Sequence, residues 1–297
     1  MQVCQPHPEN AAPVGLVAGW GRYPLVIAQV LRQQHRPVVC LAVKDHADPA
    51  LRELSDVYAE FGLGKLGASL RYFRRNGVTT ATMAGKIHKV LLFRTSFLWK
   101  HFPDWRCLRT FYPHFISHRR DRKDDTLLGA IVDAFAEEGI TMVPATDFLP
   151  EVLVKPGCLT RRQPSRIEAI DIAFGWTIAK EMGRLDIGQS VAVKGQAALA
   201  VEAVEGTDLC IQRAGQLCPS GGFTVVKVAK PQQDMRFDVP TVGLVTLESM
   251  RKSGARVLAI EANRTILIDE PQVIEFANRH GMVIIALENG QTPDGGP

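Results

Sequence analysis

Five charged side chains fall within KVAKPQQDMRFDVPTVG, Lys227 to Gly243: Lys227, Lys230, Asp234, Arg236 and Asp238. Mixed charge of this kind suits phosphoryl chemistry, in which Lys and Arg neutralise non-bridging oxygens while carboxylates hold a divalent ion or orient water. A surface salt-bridge network would use the same residue types, but the setting of Asp238 between Phe237 and Pro240 favours a functional reading. Upstream, LDIGQSVAVKGQAALAVEAVEGTD adds Asp186, Gln189, Glu202, Glu205 and Asp208 in a context rich in Val and Ala. Glu202 is expected on a strand and Glu205 at its end, with Gly206, Thr207 and Asp208 turning into a helix that Thr207 or Asp208 would cap. Acids gathered at a strand end are either that cap with solvent-facing neighbours or ligands of a hard cation. Both phrases are read as lining one polyanion site. Lys155, Arg161, Arg162 and Arg166 are either solvated linker charge or further phosphate contacts.

A second constellation runs from Lys86 to Lys123, where Lys, Arg and His alternate with Phe93, Phe97, Trp99, Phe102, Trp105, Phe111, Tyr112 and Phe115. Part of this spacing is helical, so a core-facing stripe is one reading. An interfacial membrane segment or acyl-chain groove needs the same residues, rings for the acyl boundary and cations for anionic headgroups. Single-stranded nucleic acid would also use them, but the acid-rich second half is a poor lining for an extended phosphate chain. At Lys123–Leu128, KDDTLL offers Asp124 or Asp125 as a helix cap.

These residues need elements to hold them. VGLVA, GWGRYP, LVIAQVLRQQ and PVVCLAV read as strand, turn, helix and strand, a βαβ unit, and the alternation continues through DVYAEF, GKLGASLRYFRRNG, VTTATMAG, TLLGAIVDAFAEEG and ITMVP. The expected fold is α/β, with two α/β domains joined by a linker, the N-terminal one Rossmann-like with a parallel sheet that places ligands at its strands' carboxyl ends. The boundaries are tails at 1–13 and 290–297, an N-terminal domain at 14–146, a linker at 147–162 and a catalytic domain at 163–289. In the last of these, Ser165 and Glu168 have capping-box spacing ahead of a long helix. AGWGRYP follows a strand and opens a helix, yet has only GxG and no GK[ST], which excludes a Walker ATPase and disfavours a dinucleotide site. It is either a glycine turn or a close approach to ligand.

The bulk numbers narrow the class. The 297 residues are 46% hydrophobic and 22% charged, as in globular proteins, and 35 basic against 31 acidic side chains leave a net charge of +4. An anionic partner must therefore meet local charge. Six scattered cysteines without CxxC spacing read as reduced thiols in the cytoplasm. Neither a leader-like segment nor a membrane-length apolar run is present in the sequence. GxSxG, HExxH and Cys/His nucleophile patterns are also missing.

Taken together, AGWGRYP, AGKI at Ala84–Ile87, KDDTLL, LDIGQSV, VEAVEGTD, VKVAKPQQDMRFDVPTVG and AIEA resemble, in order and spacing, the LpxI family of UDP-2,3-diacylglucosamine pyrophosphatases, from about Val14 to Glu288. The resemblance implies hydrolysis of UDP-2,3-diacylglucosamine to UMP and 2,3-diacylglucosamine 1-phosphate (lipid X) in lipid A biosynthesis. It also implies dependence on Mg²⁺ or another divalent cation, and two domains that hold the lipid product between them. The family's critical aspartate, in RxDxPxxG, falls on Asp238. The expected catalytic residues are Asp238, Asp208, Lys227 and Arg236, with metal held by some of Asp238, Asp208 and Glu205. Expected substrate contacts are Gly19, Gly21, Lys86, Gln189, Thr207, Lys230 and Gln233. The expected location is cytoplasmic and peripheral at the inner membrane, without nucleic acid, and a homo-oligomer is left open. Trp20, Tyr23 and the segment Leu91–Arg122 depart from the family pattern. Alternatives are a pyrophosphatase for another sugar nucleotide and a non-catalytic lipid or nucleotide binder.

Overall fold

A computed structural model describes residues 11–87, 102–115, 124–237 and 239–288. The chain divides into two units, one of Met1–Pro150 with Asp234–Asp238, the other of Glu151–Gln233 with Val239–Pro297.

In the first unit, β1 (Val14–Ala18), β2 (Val38–Val43), β3 (Val57–Phe61), β4 (Thr80–Ala84) and β5 (Thr141–Met142) form a sheet in the order β3-β2-β1-β4-β5, every pair parallel. The continuous apolar run of β2, buried at all six positions, is what a strand covered on both faces requires. Its helices are α1 (Tyr23–Gln33), α2 (Leu51–Leu54), α3 (Leu66–Arg75), α4 (Trp105–Phe115) and α5 (Asp124–Ala136). Pro24 lies in the first turn of α1, where its missing N–H costs nothing. Asp104 starts α4 by accepting from the Cys107 amide at 2.9 Å, and its other oxygen accepts from Ala68 N in α3 at 3.0 Å. Phe73 and Phe135, centroids 5.8 Å apart, sit in the core between α3 and α5. Phe237 packs on this core, which is why the segment Asp234–Asp238 belongs to this unit although its neighbours in sequence belong to the other.

The second unit is built on a six-stranded sheet ordered β6-β13-β11-β9-β7-β8. Its strands are β6 (Gly157–Cys158), β7 (Ser190–Lys194), β8 (Ala197–Val201), β9 (Phe223–Lys227), β11 (Ala255–Glu261) and β13 (Val283–Leu287). β9, β11 and β13 are parallel, while β6, β7 and β8 run antiparallel to their neighbours. A short pair, β10 (Thr241–Val242) with β12 (Ile266–Leu267), stands apart. The helices are α6 (Arg166–Arg184), α7 (Thr207–Leu217), α8 (Leu244–Ser253) and α9 (Glu270–Arg279). The Ser165–Glu168 capping box is formed in full at the start of α6. α6 lies close on the sheet because Gly175 has no side chain: a Cβ there would stand 2.7 Å from Val226 Cγ2.

The stretch read as a linker is packed into this unit from Glu151 onward. Val154 is fully buried, Leu153 bridges to Ile266, and β6 extends the sheet beside β13. Pro150 opens a 3-10 helix, and Pro156 precedes the edge strand β6. Val201 ends β8, so Glu202 stands just past the strand rather than on it.

The register has one consequence for function. Lys227 closes β9 and Glu261 closes β11, and Ser190, the first residue of antiparallel β7, pairs with Lys227. Val201 pairs with Val191 next to it. The ends of four strands thus bring their polar residues to one edge of the sheet, the carboxyl edge of the parallel strands, where open α/β sheets bind ligands.

Candidate active site

At that edge, Lys227 is 2% exposed and donates from Nζ to Thr207 Oγ1 at 3.0 Å and to the Thr241 carbonyl at 3.2 Å. Thr207 donates to Glu202 Oε1 at 3.0 Å, and Ser190 Oγ lies 3.3 Å from the same hydroxyl. A hydroxyl has one proton and two lone pairs. With the proton on Glu202, Thr207 accepts from Lys227 and Ser190 and is saturated. The Thr207 hydroxyl, expected at the substrate, joins a buried cation to a buried carboxylate.

The turn into α7 also differs from expectation. Gly206 is the N-cap, with φ 87° and ψ 166°, a backbone reserved for glycine, and no side chain caps the helix. Thr207 does not cap because its hydroxyl is engaged by Glu202 and Lys227. Glu205 receives Arg213 on Oε1 at 2.6 Å and the Ala203 amide on Oε2 at 3.0 Å. Glu205, expected among the metal ligands, thus has each oxygen meeting a donor from its own turn or helix.

The KPQQ turn is held by its own residues. Lys230 N donates to Gln233 Oε1 at 2.7 Å, and Lys230 Nζ to Asp186 Oδ1 at 2.6 Å in a largely buried ion pair. Asp186, expected to offer its carboxylate to a ligand, is spent on Lys230. Gln233 is buried, its amide oxygen bound to the turn. The Val228 amide donates to the Gln189 carbonyl at 3.0 Å, joining the two phrases through their backbones. Behind the turn, Glu261 Oε2 accepts from Ala229 N at 2.8 Å and from Lys180 Nζ at 2.6 Å, and Lys180 also donates to the Ala229 carbonyl at 3.1 Å. The peptide between Lys227 and Lys230 is therefore clamped on both its polar groups.

Among the described residues, three buried side-chain oxygens near this edge meet no hydrogen-bond partner: Gln189 Oε1, Glu202 Oε2 and Asp208 Oδ1. Buried acceptors without donors are uncommon in folded proteins and mark a place for a ligand, an ion or water. Two of them are carboxylate oxygens, the hard donors a divalent cation prefers. Among the described residues no three His, Cys, Asp or Glu side chains gather into a metal site, and Asp238 lies outside those residues. The donor chemistry thus fits a cation at Asp208, while the Glu205 oxygens meet donors of their own turn and helix.

The remaining expected residues lie in the first unit. Gly19 and Gly85 belong to two loops that leave the adjacent strands β1 and β4 and cross in backbone contact. Trp20 and Lys86 exchange both amide hydrogen bonds at 2.9 Å, and a Cβ on Gly19 would stand 2.8 Å from the Lys86 carbonyl. Gly19 is thus required for the crossing of the chains. Gly21 has φ 109° and open space where a Cβ would project. β1 lies between β2 and β4, the point where the strand order reverses, so these loops stand at the sheet's own switch point. Arg236 is bound by Asp234 through Nε at 3.0 Å and Nη2 at 2.6 Å. That guanidinium holds the Asp234 carboxyl below the usual carboxylate range, and in turn Arg236 is raised.

Along the chain nothing sets Glu202 apart from its neighbouring acids or singles out Ser190, Lys180 and Glu261. Burial separates them from the solvent-facing acids, and burial follows from the register of β7, β8, β9 and β11. The aromatic and basic residues at 88–101 and 116–123 lie outside the described residues, as do the tails at 1–10 and 289–297, and the side chains of Asp124 and Asp125 are not described.

Comparison with known proteins covers both units. The model of the LpxI N-terminal domain matches residues 13–152, and that of the LpxI C-terminal domain matches residues 155–285. The chain is 29% identical over 287 residues, 94% of its length and 99% of the relative's, to a Caulobacter vibrioides protein named UDP-2,3-diacylglucosamine pyrophosphatase LpxI. With both domain models matched in order along the strands that build the two sheets, the chain belongs to the LpxI family.

Proposed function

We propose that this protein hydrolyses the pyrophosphate bond of UDP-2,3-diacylglucosamine, water adding to one phosphorus and the bridging oxygen leaving with the other, to give UMP and 2,3-diacylglucosamine 1-phosphate. The reading rests on one observation above the rest: a fully buried lysine, Lys227, tied through Thr207 to a buried carboxylate at the ligand-binding edge of a sheet whose chain belongs to this family. A cation held rigidly out of water offsets developing phosphoryl charge without reorganising at the moment of reaction. Lys230, fixed by Asp186, adds a second positive centre. Arg236 and Asp238 belong to the same phrase, and Asp238 is assigned the central role on the family motif.

A divalent cation such as Mg²⁺ would be held by Asp238 and Asp208, and when bound it neutralises phosphate oxygens. Gly19, Gly21 and Lys86 are assigned to the substrate.

The same reading places the protein in the cytoplasm at the inner-membrane surface, where a diacylated substrate resides. Among the described residues no helix is long and apolar enough to cross a membrane. On α4, Trp105, Leu108 and Tyr112 recur at helical spacing and are 80%, 42% and 52% exposed, with Phe102 ahead of them at 64%. Between Lys86 and Lys123 the sequence has ten Lys or Arg against two Asp, an excess of eight positive charges where the whole chain nets +4. Exposed rings beside concentrated positive charge fit an anionic bilayer surface.

The test is incubation of the purified protein with UDP-2,3-diacylglucosamine in detergent, with Mg²⁺ and with EDTA, following UMP and the diacylglucosamine phosphate. Products that require the metal and are lost in a folded Asp238→Ala variant are expected. Wild-type turnover in that variant would remove Asp238 from the centre, and no products from folded wild-type protein would overturn the reading.

A further inference from the structure

The Glu202–Thr207–Lys227 chain supports an assignment that the resemblance does not contain. Glu202 is 7% exposed, Thr207 8% and Lys227 2%, so a negative and a positive side chain are both removed from water and joined by one hydroxyl. Burying a carboxylate is costly, and an apolar residue of similar size would fill the same volume without that cost. Among the described residues Glu202 has its second oxygen, Oε2, buried and meeting no hydrogen-bond donor. Its backbone is held as firmly as its side chain. The Glu202 amide donates to the Ser190 carbonyl at 2.9 Å, and Gly188 presses so closely that a Cβ there would stand 2.1 Å from the Glu202 carbonyl oxygen.

The hydroxyl explains what this arrangement achieves. Thr207 has one proton, and Glu202 takes it. Both lone pairs of Oγ1 then face donors, Lys227 Nζ and the Ser190 hydroxyl. Without the carboxylate the Thr207 proton could turn toward Lys227, and a donor would face a cation. We propose that Glu202 is a positioning residue of the active site, fixing the Thr207 hydroxyl so that it holds the Lys227 ammonium where the phosphoryl group is bound. This rests on the pyrophosphatase reading. Glu202 touches neither substrate nor metal in this role; it acts through Thr207.

The test uses the full chain and four variants, Glu202→Met, Thr207→Val, Thr207→Ser and the double variant Glu202→Met with Thr207→Val, each checked for folding by its melting temperature. Met is close to Glu in length but leaves no oxygen to accept the Thr207 proton. Turnover is measured against substrate concentration beside the wild type. Loss of a supporting hydrogen bond of this kind costs about 10- to 100-fold. Glu202→Met and Thr207→Val are each expected to lower kcat by about that factor with KM within about twofold, because the lysine still meets the ground state but is misplaced for the transition state. Thr207→Ser, which keeps the hydroxyl, should retain most activity. The double variant should be no worse than the poorer single one, since both changes break one chain, whereas independent structural damage would multiply. Wild-type kcat in Glu202→Met, or multiplying effects in the double variant, would overturn the proposal. Should Glu202→Met fail to fold, the Val and Ser variants at Thr207 decide it: equal activity in the two overturns it. Wild-type protein that yields no products at all would refute the pyrophosphatase reading instead, so the two failures are distinguishable.

Discussion

Replacing Lys180 with Met tests how the loop between Lys227 and Lys230 is held. Glu261 is 3% exposed, and Lys180 is its close cation at 2.6 Å, with Arg264 farther off at 3.7 Å. Removing one member of a buried pair costs about 3–5 kcal/mol, because the other charge stays buried. Lys180 is itself 25% exposed on its side chain, and Glu261 keeps the Ala229 amide, so the low end, about 3 kcal/mol, is expected. In a unit of this size that is a fall of about 6–12 °C in melting temperature. Hydrogen exchange during thermal or urea unfolding can read the units separately: β9 and β11 should lose protection early in Lys180→Met, while β1, β2 and β4 keep wild-type behaviour. Adding Glu261→Gln should recover stability, since a neutral amide can still accept from Ala229 N and leaves no stranded charge. A Lys180→Met shift below about 1 kcal/mol, or a double variant as unstable as the sum of the two single changes, would refute the view that this pair clamps the loop.

Other expectations follow from single contacts. Gly188→Ala should cost stability well beyond an ordinary Gly-to-Ala change and lower activity with it, because its Cβ would meet the Glu202 carbonyl at 2.1 Å; a melting temperature within about 2 °C of wild type would contradict this. Since Arg236 depresses Asp234, the stability from that pair is fully present above the ordinary aspartate value of about 4 and is lost as pH falls through the lower folded value. An Asp234→Asn protein should therefore lose less stability than wild type between pH 5 and about 2. Burial pushes the Cys210 thiol up to about 11 and Cys40 up to about 12, so iodoacetamide at pH 8 should leave both unmodified in the native protein and modify them after denaturation. Replacing Trp105 and Tyr112 with Ser should reduce sedimentation with vesicles containing anionic lipid while leaving turnover in detergent unchanged; wild-type sedimentation would remove α4 from the membrane contact.

Local chemistry made much of this molecule readable from sequence. Continuous apolar runs marked β1 and β2 because strands covered on both faces are apolar throughout. Ser165 and Glu168 announced α6 because a capping box is satisfied within four residues. The charged phrase around Lys227 and Lys230 was likewise visible, since five charged side chains fall within it. What each charge does was less legible. Glu202 and Glu205 are three residues apart and look alike in sequence, yet one is buried against Thr207 and the other is spent on Arg213.

The order of residues by itself determined the two α/β units, the turn at Gly206 and the mixed charge of the two phrases, because propensity, backbone preference and charge are properties of neighbours along the chain. Tertiary structure alone decided that Ser190, Glu202, Thr207 and Lys227 form one network and that Asp186 belongs to Lys230. The pairing of β7 with β9 sets the first of these, and the packing of the α6 terminus against the Lys230 turn, where Gly183 stands beside Lys230 and Pro231, sets the second. Register and packing join residues many positions apart, and the free energy of burying a charge depends on the partner that folding supplies, which no local stretch of sequence contains.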